Sequence, residues 1–201
     1  MVKNPISSSA GEGCTCPSTL TVGWRKIFSH NSKYGFFDDT ADALSRNADD
    51  ESQPLFSRLV DIEQFRNAEG EFHFKLVYPE IPAVNEWIQT SNPTTETTIT
   101  GFVAASLDIT INSNDEAWAG LGLGDEGKSL MDDSPDTTRW WTAIGAERPY
   151  PTDSDTFPGL KKNKVTMVEL YVYDDGTSSS SSSSSSSYST SYSITYSSSK
   201  A

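Results

Sequence analysis

Phe72-His73-Phe74-Lys75-Leu76-Val77-Tyr78 alternates without interruption: Phe72, Phe74, Leu76 and Tyr78 fall on one side, His73, Lys75 and Val77 on the other. Successive side chains of an extended chain point to opposite faces, so this period of two predicts a strand with one buried face. Pro79 and Pro82 end it, because proline cannot supply a ladder N–H. The pattern returns late in the chain. Thr166, Val168, Leu170 and Val172 share one face, Met167, Glu169, Tyr171 and Tyr173 the other, and Asp174-Asp175-Gly176 closes the run. Strands with one apolar and one mixed face suit an antiparallel sheet lying on a core.

Working outward, Val84-Asn85-Glu86-Trp87-Ile88-Gln89 reads as a short strand, followed by the turn Ser91-Asn92-Pro93. The threonines between Thr94 and Thr100 favour extended structure, and residues 99–111 predict one long strand. Residues 117–123 and 140–145 predict two more. Residues 21–28 predict the first strand, with Val22, Trp24, Lys26 and Phe28 alternating against Arg25 and Ile27. Two short helices are expected between them. Thr40 caps residues 41–47 in the first, and Pro54 suits the first turn of the second, where Leu55, Leu59, Ile62 and Phe65 recur at helical spacing. About eight short strands separated by turn signals predict a mainly β chain, an antiparallel β-sandwich or jelly roll with one or two short helices in the N-terminal third. The helices sit together early, which leaves a small α+β fold as the alternative; strands do not alternate with helices, which argues against a parallel doubly wound sheet. Residues 99–141 hold much of the glycine and aromatic surface and are expected to be where the sheet meets a partner.

Three segments differ in composition. Residues 1–20 read as a flexible arm, interrupted by Ser7-Ser8-Ser9, Gly11, Gly13 and Pro17. Residues 21–176 form the expected globular domain. Residues 177–201 are a low-complexity tail whose positions 178–187 are ten consecutive serines. Such a tail cannot bury enough apolar surface to fold alone. Tyr188, Tyr192 and Tyr196 recur every four residues, either by chance in a biased tract or as anchors that dock the tail.

Acidic residues outnumber basic ones 28 to 15 over 201 residues, a net charge of −13. That balance disfavours nucleic acid and anionic membranes as partners and favours cations or a basic protein. No apolar run reaches membrane-spanning length. The opening Met1-Val-Lys-Asn-Pro-Ile has no leader-like apolar stretch, so the chain is expected to be intracellular or to have shed a leader. No Asn-x-Ser/Thr acceptor is present, since Pro93 follows Asn92.

The most tempting motif is false. Gly122-Leu-Gly-Asp-Glu-Gly127-Lys128-Ser129 fits the phosphate-loop spacing, and Gly122, Gly124 and Gly127 fit the dinucleotide fingerprint. Both need backbone N–H groups at the start of a helix. Here Asp125 and Glu126 would carry carboxylates toward the phosphate, and Asp132-Asp133-Ser134-Pro135 leaves too little room for the helix. A hairpin or bulge that uses glycine's conformational freedom is expected instead. The carboxylate pairs read first as a solvated acidic surface; the sharper alternative is a calcium site built from Asp132, Asp133 and Asp136. Trp140 and Trp141 would point to opposite faces of a strand, so one is free to stack on a sugar ring or to anchor a protein. Cys14 and Cys16 are too close for an unstrained mutual bond. They are expected as free thiols or as a covalent tie to another chain. Metal binding through them would need more Cys or His than His30 and His73 supply. No G-x-S-x-G elbow and no Ser or Cys partner for either histidine points to catalysis.

Several blocks together resemble a poorly characterised domain of secreted and matrix proteins in sponges and cnidarians. They are Gly23-Trp24-Arg-Lys-Ile-Phe28, Gly70-Glu-Phe-His-Phe-Lys75, Asn85-Glu-Trp-Ile-Gln-Thr-Ser-Asn-Pro93, Trp118-Ala-Gly-Leu-Gly-Leu123, Trp140-Trp-Thr-Ala-Ile-Gly145 and Val165-Thr-Met-Val-Glu-Leu-Tyr-Val172. The resemblance covers residues 21–173 and implies an extracellular, non-enzymatic protein with no catalytic residues to carry over. Joined to the serine tail, it resembles a sponge silica-spicule filament protein assembled beside a silicatein-like partner. Ser178, Ser179 and Ser180 would open a hydroxyl-rich contact with silica or with the partner. The expected function is a structural matrix or biomineral protein; the alternative is a lectin-like glycan-binding module, with or without calcium.

Overall fold

The computed structural model describes residues 22–110, 117–124, 128–133, 143–148 and 165–177. The fold is mainly β. Six antiparallel strands form one sheet in the order β2-β1-β8-β3-β4-β5. They are β1 (Gly23–Asn31), β2 (Leu55–Ser57), β3 (Phe72–Tyr78), β4 (Ala83–Gln89), β5 (Val103–Leu107) and β8 (Met167–Asp174). A second, small layer contains the hairpin β6 (Gly122–Leu123) and β7 (Met131–Asp132), and the helical elements are α1 (Thr40–Ser45) and two 3₁₀ helices, Ser32–Tyr34 and Leu59–Phe65. The described architecture is sandwich-like without a closed barrel. No helix among the described residues is long and apolar enough to cross a membrane.

The alternation read from β3 and β8 sets the inner face. Phe74 sits opposite Val172 and Trp87, and Leu76 opposite Leu170 and Asn85. Phe72, Phe74, Leu76, Trp87, Leu170 and Val172 lose all contact with water. Phe28 of β1 joins them, and Leu59, Ile62, Trp118, Leu121, Leu130, Met131 and Ile144 cover them from the second layer and the flanking segments. In β1 a bulge between Lys26 and Phe28 breaks the simple alternation. An extra residue in one strand turns two neighbours the same way, so Ile27 and Phe28 are both buried.

Several local expectations are corrected. Residues 55–65 do not make one helix started by Pro54. Leu55–Ser57 pairs with β1 through Leu55↔His30 and Ser57↔Phe28, and only Leu59–Phe65 is helical. Leu59, Ile62 and Phe65 are its buried residues; a spacing of three is the 3₁₀ period, in which such residues eclipse on one side. Helix α1 is capped by Asp39 rather than Thr40, its carboxylate accepting the Asp42 N–H. The long strand over 99–111 shrinks to Val103–Leu107. Before it, Gly101 has a positive φ of 67°. After it, Asn85 mimics a strand neighbour: its Nδ2 donates to Ile109 O and its Oδ1 accepts the Ile109 N–H, both at 2.9 Å. The strand over 117–123 shrinks to Gly122–Leu123, and within 140–145 the described residues give a single bridge, Ile144 to Met131. Residues 99–110 therefore lie at the sheet's margin, with β5 as its last strand, not at its organising centre.

Candidate functional site

The outer face of the sheet is built from the polar half of the same alternation. Lys26, Tyr171, Lys75, Glu86 and Ser106 lie side by side in register across five strands. Beside that row, Trp24 sits opposite Tyr173, and His73 opposite Ile88. The side chains hold one another half-buried. Trp24 meets the His73 ring at 4.9 Å and the Tyr173 ring at 5.5 Å, both edge-on. Lys75 Nζ lies 4.2 Å over the Trp24 ring and 5.1 Å from the Tyr171 ring, positions in which the ring quadrupole attracts a cation. His73 Nε2 is 2.8 Å from Glu86 Oε1, and Lys26 Nζ is 3.2 Å from Glu169 Oε1. Tyr171 donates its hydroxyl to Glu169 Oε2 at 2.9 Å. Burial first, then that carboxylate, raises the Tyr171 pKa and keeps the phenol protonated.

At one end this face opens into a cavity of about 220 Å³, lined by Phe65, Asn67, Glu71, His73, Ile88, Tyr173 and Asp175. Strands β3, β4 and β8 supply His73, Ile88 and Tyr173; the turn before β3 supplies Asn67 and Glu71. That turn is closed by its own bonds: Asn67 Oδ1 accepts the Glu71 N–H at 2.7 Å, and the Asn67 N–H donates to Glu71 O at 2.9 Å. Arg66 braces it by donating to Gly70 O at 2.8 Å while lying 4.1 Å over the Phe72 ring. The hydrogen bonds from Arg66 hold the Glu63 carboxyl below its usual range. Asp175 Oδ1 accepts the Thr177 hydroxyl and N–H at 2.6 and 2.8 Å, and these bonds lower its pKa and keep it ionised.

Several polar groups in the cavity wall retain bonding capacity. Among the described residues, Asn67 Nδ2, the Glu71 carboxylate and Asp175 Oδ2 make no side-chain hydrogen bond. A donor and carboxylate acceptors thus surround a Tyr173 ring and an Ile88 side chain. This mixture suits a small polyhydroxylated ring, which offers an apolar face of C–H groups and an edge of hydroxyls.

The residues singled out from the sequence fall elsewhere. Asp132 and Asp133 are buried at 4% and 8% exposure in and after β7, so these two do not belong to a solvated acidic surface. No group of three or more potential metal ligands gathers among the described residues. Asp136, Trp140, Trp141, Cys14, Cys16, Ser178, Ser179, Ser180, Tyr188, Tyr192 and Tyr196 lie outside the described residues. The Gly122 loop is a hairpin where it is described: Gly122 pairs with Asp132, and the Gly124 N–H donates to Leu130 O at 2.8 Å. The cavity residues were missed because the outward positions of β8 and β3 read as the wet side. The available signal was Tyr171, Tyr173 and Trp24 on that side, more ring surface than solvation requires.

The chain matches no family model, no curated protein and no solved structure.

Proposed function

We propose that the domain is a non-catalytic glycan-binding module of an extracellular matrix, seating one sugar ring in the cavity beside Tyr173. The observation that carries this reading is the convergence of the Tyr173 ring and Ile88 with the uncommitted Nδ2 of Asn67 and the carboxylates of Glu71 and Asp175. Carboxylates accept neighbouring hydroxyls strongly because the bond is charge-assisted, and the ring excludes water from the opposite side of the ligand. A cavity of about 220 Å³ is smaller than the ~300–1,000 Å³ of sites for drug-sized ligands, which limits the occupant to about one ring.

A glycan array with the full chain, followed by calorimetric titration of the best hit, tests it. Tyr173→Ala is expected to weaken binding at least tenfold, about 1.4 kcal/mol, with the domain still folded. Binding that survives both Tyr173→Ala and Glu71→Gln would remove the site. Chelation is expected to leave binding unchanged; chelator-sensitive binding would instead favour calcium held by Asp132, Asp133 and Asp136.

The serine tract supports a second reading, a structural assembly protein that meets silica or a silicatein-like partner through residues 178–201. Ten adjacent hydroxyls can share one surface. Loss of silica adsorption on deleting the tail, with glycan binding intact, would assign the two roles to separate parts of the chain.

A further inference from the structure

The two edges of the six-stranded sheet are treated differently. At β2 the outer edge is occupied by the chain itself: the Ser57 N–H donates to Arg46 O, and Asn47 Nδ2 donates to Leu55 O, both at 2.7 Å. All three β2 residues are buried. At β5 no described strand lies beyond the edge. Val103, Ala104, Ala105 and Ser106 are exposed, Val103 by 58%. An open edge presents unpaired N–H and C=O groups that can template another strand, and proteins commonly guard it with charge or proline. Val103-Ala104-Ala105-Ser106-Leu107 has neither. Among the described residues its guard is the bulge facing Glu86 and Trp87, which leaves Ala105 out of the β4 register.

We propose that β5 pairs with the β5 of a second copy of this chain, antiparallel, about a two-fold axis normal to the sheet. Topology selects the second copy: among the described residues one edge is open and one closed, which permits a self-complementary contact but not a head-to-tail chain of β5 on β2. Charge selects it too. Two copies of a chain of net charge −13 repel one another, yet β5 set against β5 brings no carboxylates of the strand opposite one another. A basic partner would find no charge on this strand to pair with. The side chains point the same way: strand addition by a foreign peptide draws specificity from side-chain pockets, and Ala104, Ala105 and Ser106 are too small to frame one.

So short a strand pair buries less than the ~1,200 Å² of stable complexes, which makes the association weak and reversible. The two-fold axis keeps both outer faces on the same side of a continuous sheet. If the cavity beside Tyr173 binds glycan, as proposed above, the pair presents two such cavities in one direction, and bivalence strengthens attachment without new contacts.

Sedimentation velocity of the full chain over a concentration series tests the pairing, without any glycan present. The wild-type chain is expected to shift reversibly from monomer to dimer. Val103→Lys and Ala105→Lys, each at an exposed position, are expected to weaken dimerisation at least tenfold while leaving thermal unfolding unchanged. Each added lysine lowers the net negative charge, so a general relief of repulsion would act in the opposite direction. Ala104→Pro, which removes a strand N–H, should give the same monomer if it unfolds like the wild type. A monomer at every soluble concentration, a dimer indifferent to all three substitutions, or growth beyond dimers would each overturn the proposal. Failure here leaves the cavity reading intact, and loss of glycan binding in Tyr173→Ala leaves the pairing intact.

Discussion

On the inner face of the sheet Phe74, Leu76, Trp87 and Leu170 are fully buried, whereas on the outer face Trp24, His73, Lys75 and Tyr173 stay half-buried. Both faces carry rings, but the rings answer to different constraints. Trp87 is enclosed: it lies 5.5 Å from the Phe74 ring and 5.3 Å from Trp118, and its Nε1 donates to Gln89 Oε1 at 2.7 Å. Trp24 instead shares its surroundings with Lys75 and His73, groups that can exchange partners with water or with a ligand. The inner face is fixed by volume and by buried bonds such as those around Gln89, whose Oε1 and Nε2 are both engaged. The outer face keeps unspent hydrogen-bonding capacity, which is what recognition needs.

That contrast predicts its largest effect at Trp87. Trp87→Ala removes a fully enclosed ring and should cost about 3–5 kcal/mol in denaturant unfolding, because the surrounding core collapses only partly into the void. Trp24→Ala on the outer face should cost clearly less. Equal losses would mean that the outer cluster is a second core and not a recognition surface.

The inner face was legible in the sequence because burial imposes a period. Phe72 to Tyr78 and Val168 to Val172 announce their face without any outside knowledge, and that sufficed for a mainly β antiparallel fold. Where side chains replace backbone in the pairing, no period records it. Asn85 closing the strand at Ile109, and Asp39 displacing Thr40 as a cap, are choices among polar residues that look equivalent in a string. Leu55 to Phe65 misled because apolar residues three and four apart suit an α-helix, while the real segment spends its first turn as an edge strand. The cavity was less legible still, since Asn67 and Asp175 lie about a hundred residues apart in sequence and meet only through the pairing of β3 with β8.

The inner face also houses a titratable group. His30 is fully buried among Phe28, Phe36 and Phe37, with its Nε2 3.0 Å from Gly35 O. Burial lowers its pKa from 6.5 to about 4 against the opposing effect of that hydrogen bond. The unfolded chain therefore takes up the proton first. Stability from this residue is complete above pH 6.5, falls as pH drops toward 4, and changes no further below it. The total is about 3 kcal/mol. Unfolding measured between pH 7 and 4 should show that loss, and His30→Gln should flatten it; parallel slopes would show that other groups govern the acid limb.

Next in size is a backbone position that serves the inner face. Gly120 has a positive φ of 96°, and a Cβ there would lie 2.7 Å from Gln89 Oε1. That oxygen accepts both the Trp87 Nε1–H and the Leu121 N–H, the latter at 3.1 Å. Gly120→Ala combines backbone strain with displacement of a buried acceptor and should cost about 2 kcal/mol. A neutral result would show that the Gln89 network adapts.

The smallest effect belongs to the outer face. His73 and Glu86 form a cross-strand pair at 2.8 Å with side chains 31% and 30% exposed. At that exposure water screens much of the attraction, and holding both side chains costs entropy. A double-mutant cycle with His73→Ala and Glu86→Ala should therefore give a coupling of about 0.5 kcal/mol. A far larger coupling would place this pair among the elements that hold the fold together, leaving little freedom for His73 to turn toward a ligand in the adjoining cavity. A small coupling leaves the imidazole able to trade Glu86 for a sugar hydroxyl at little cost, and only then can the outer face differ from the inner one in kind as well as in exposure.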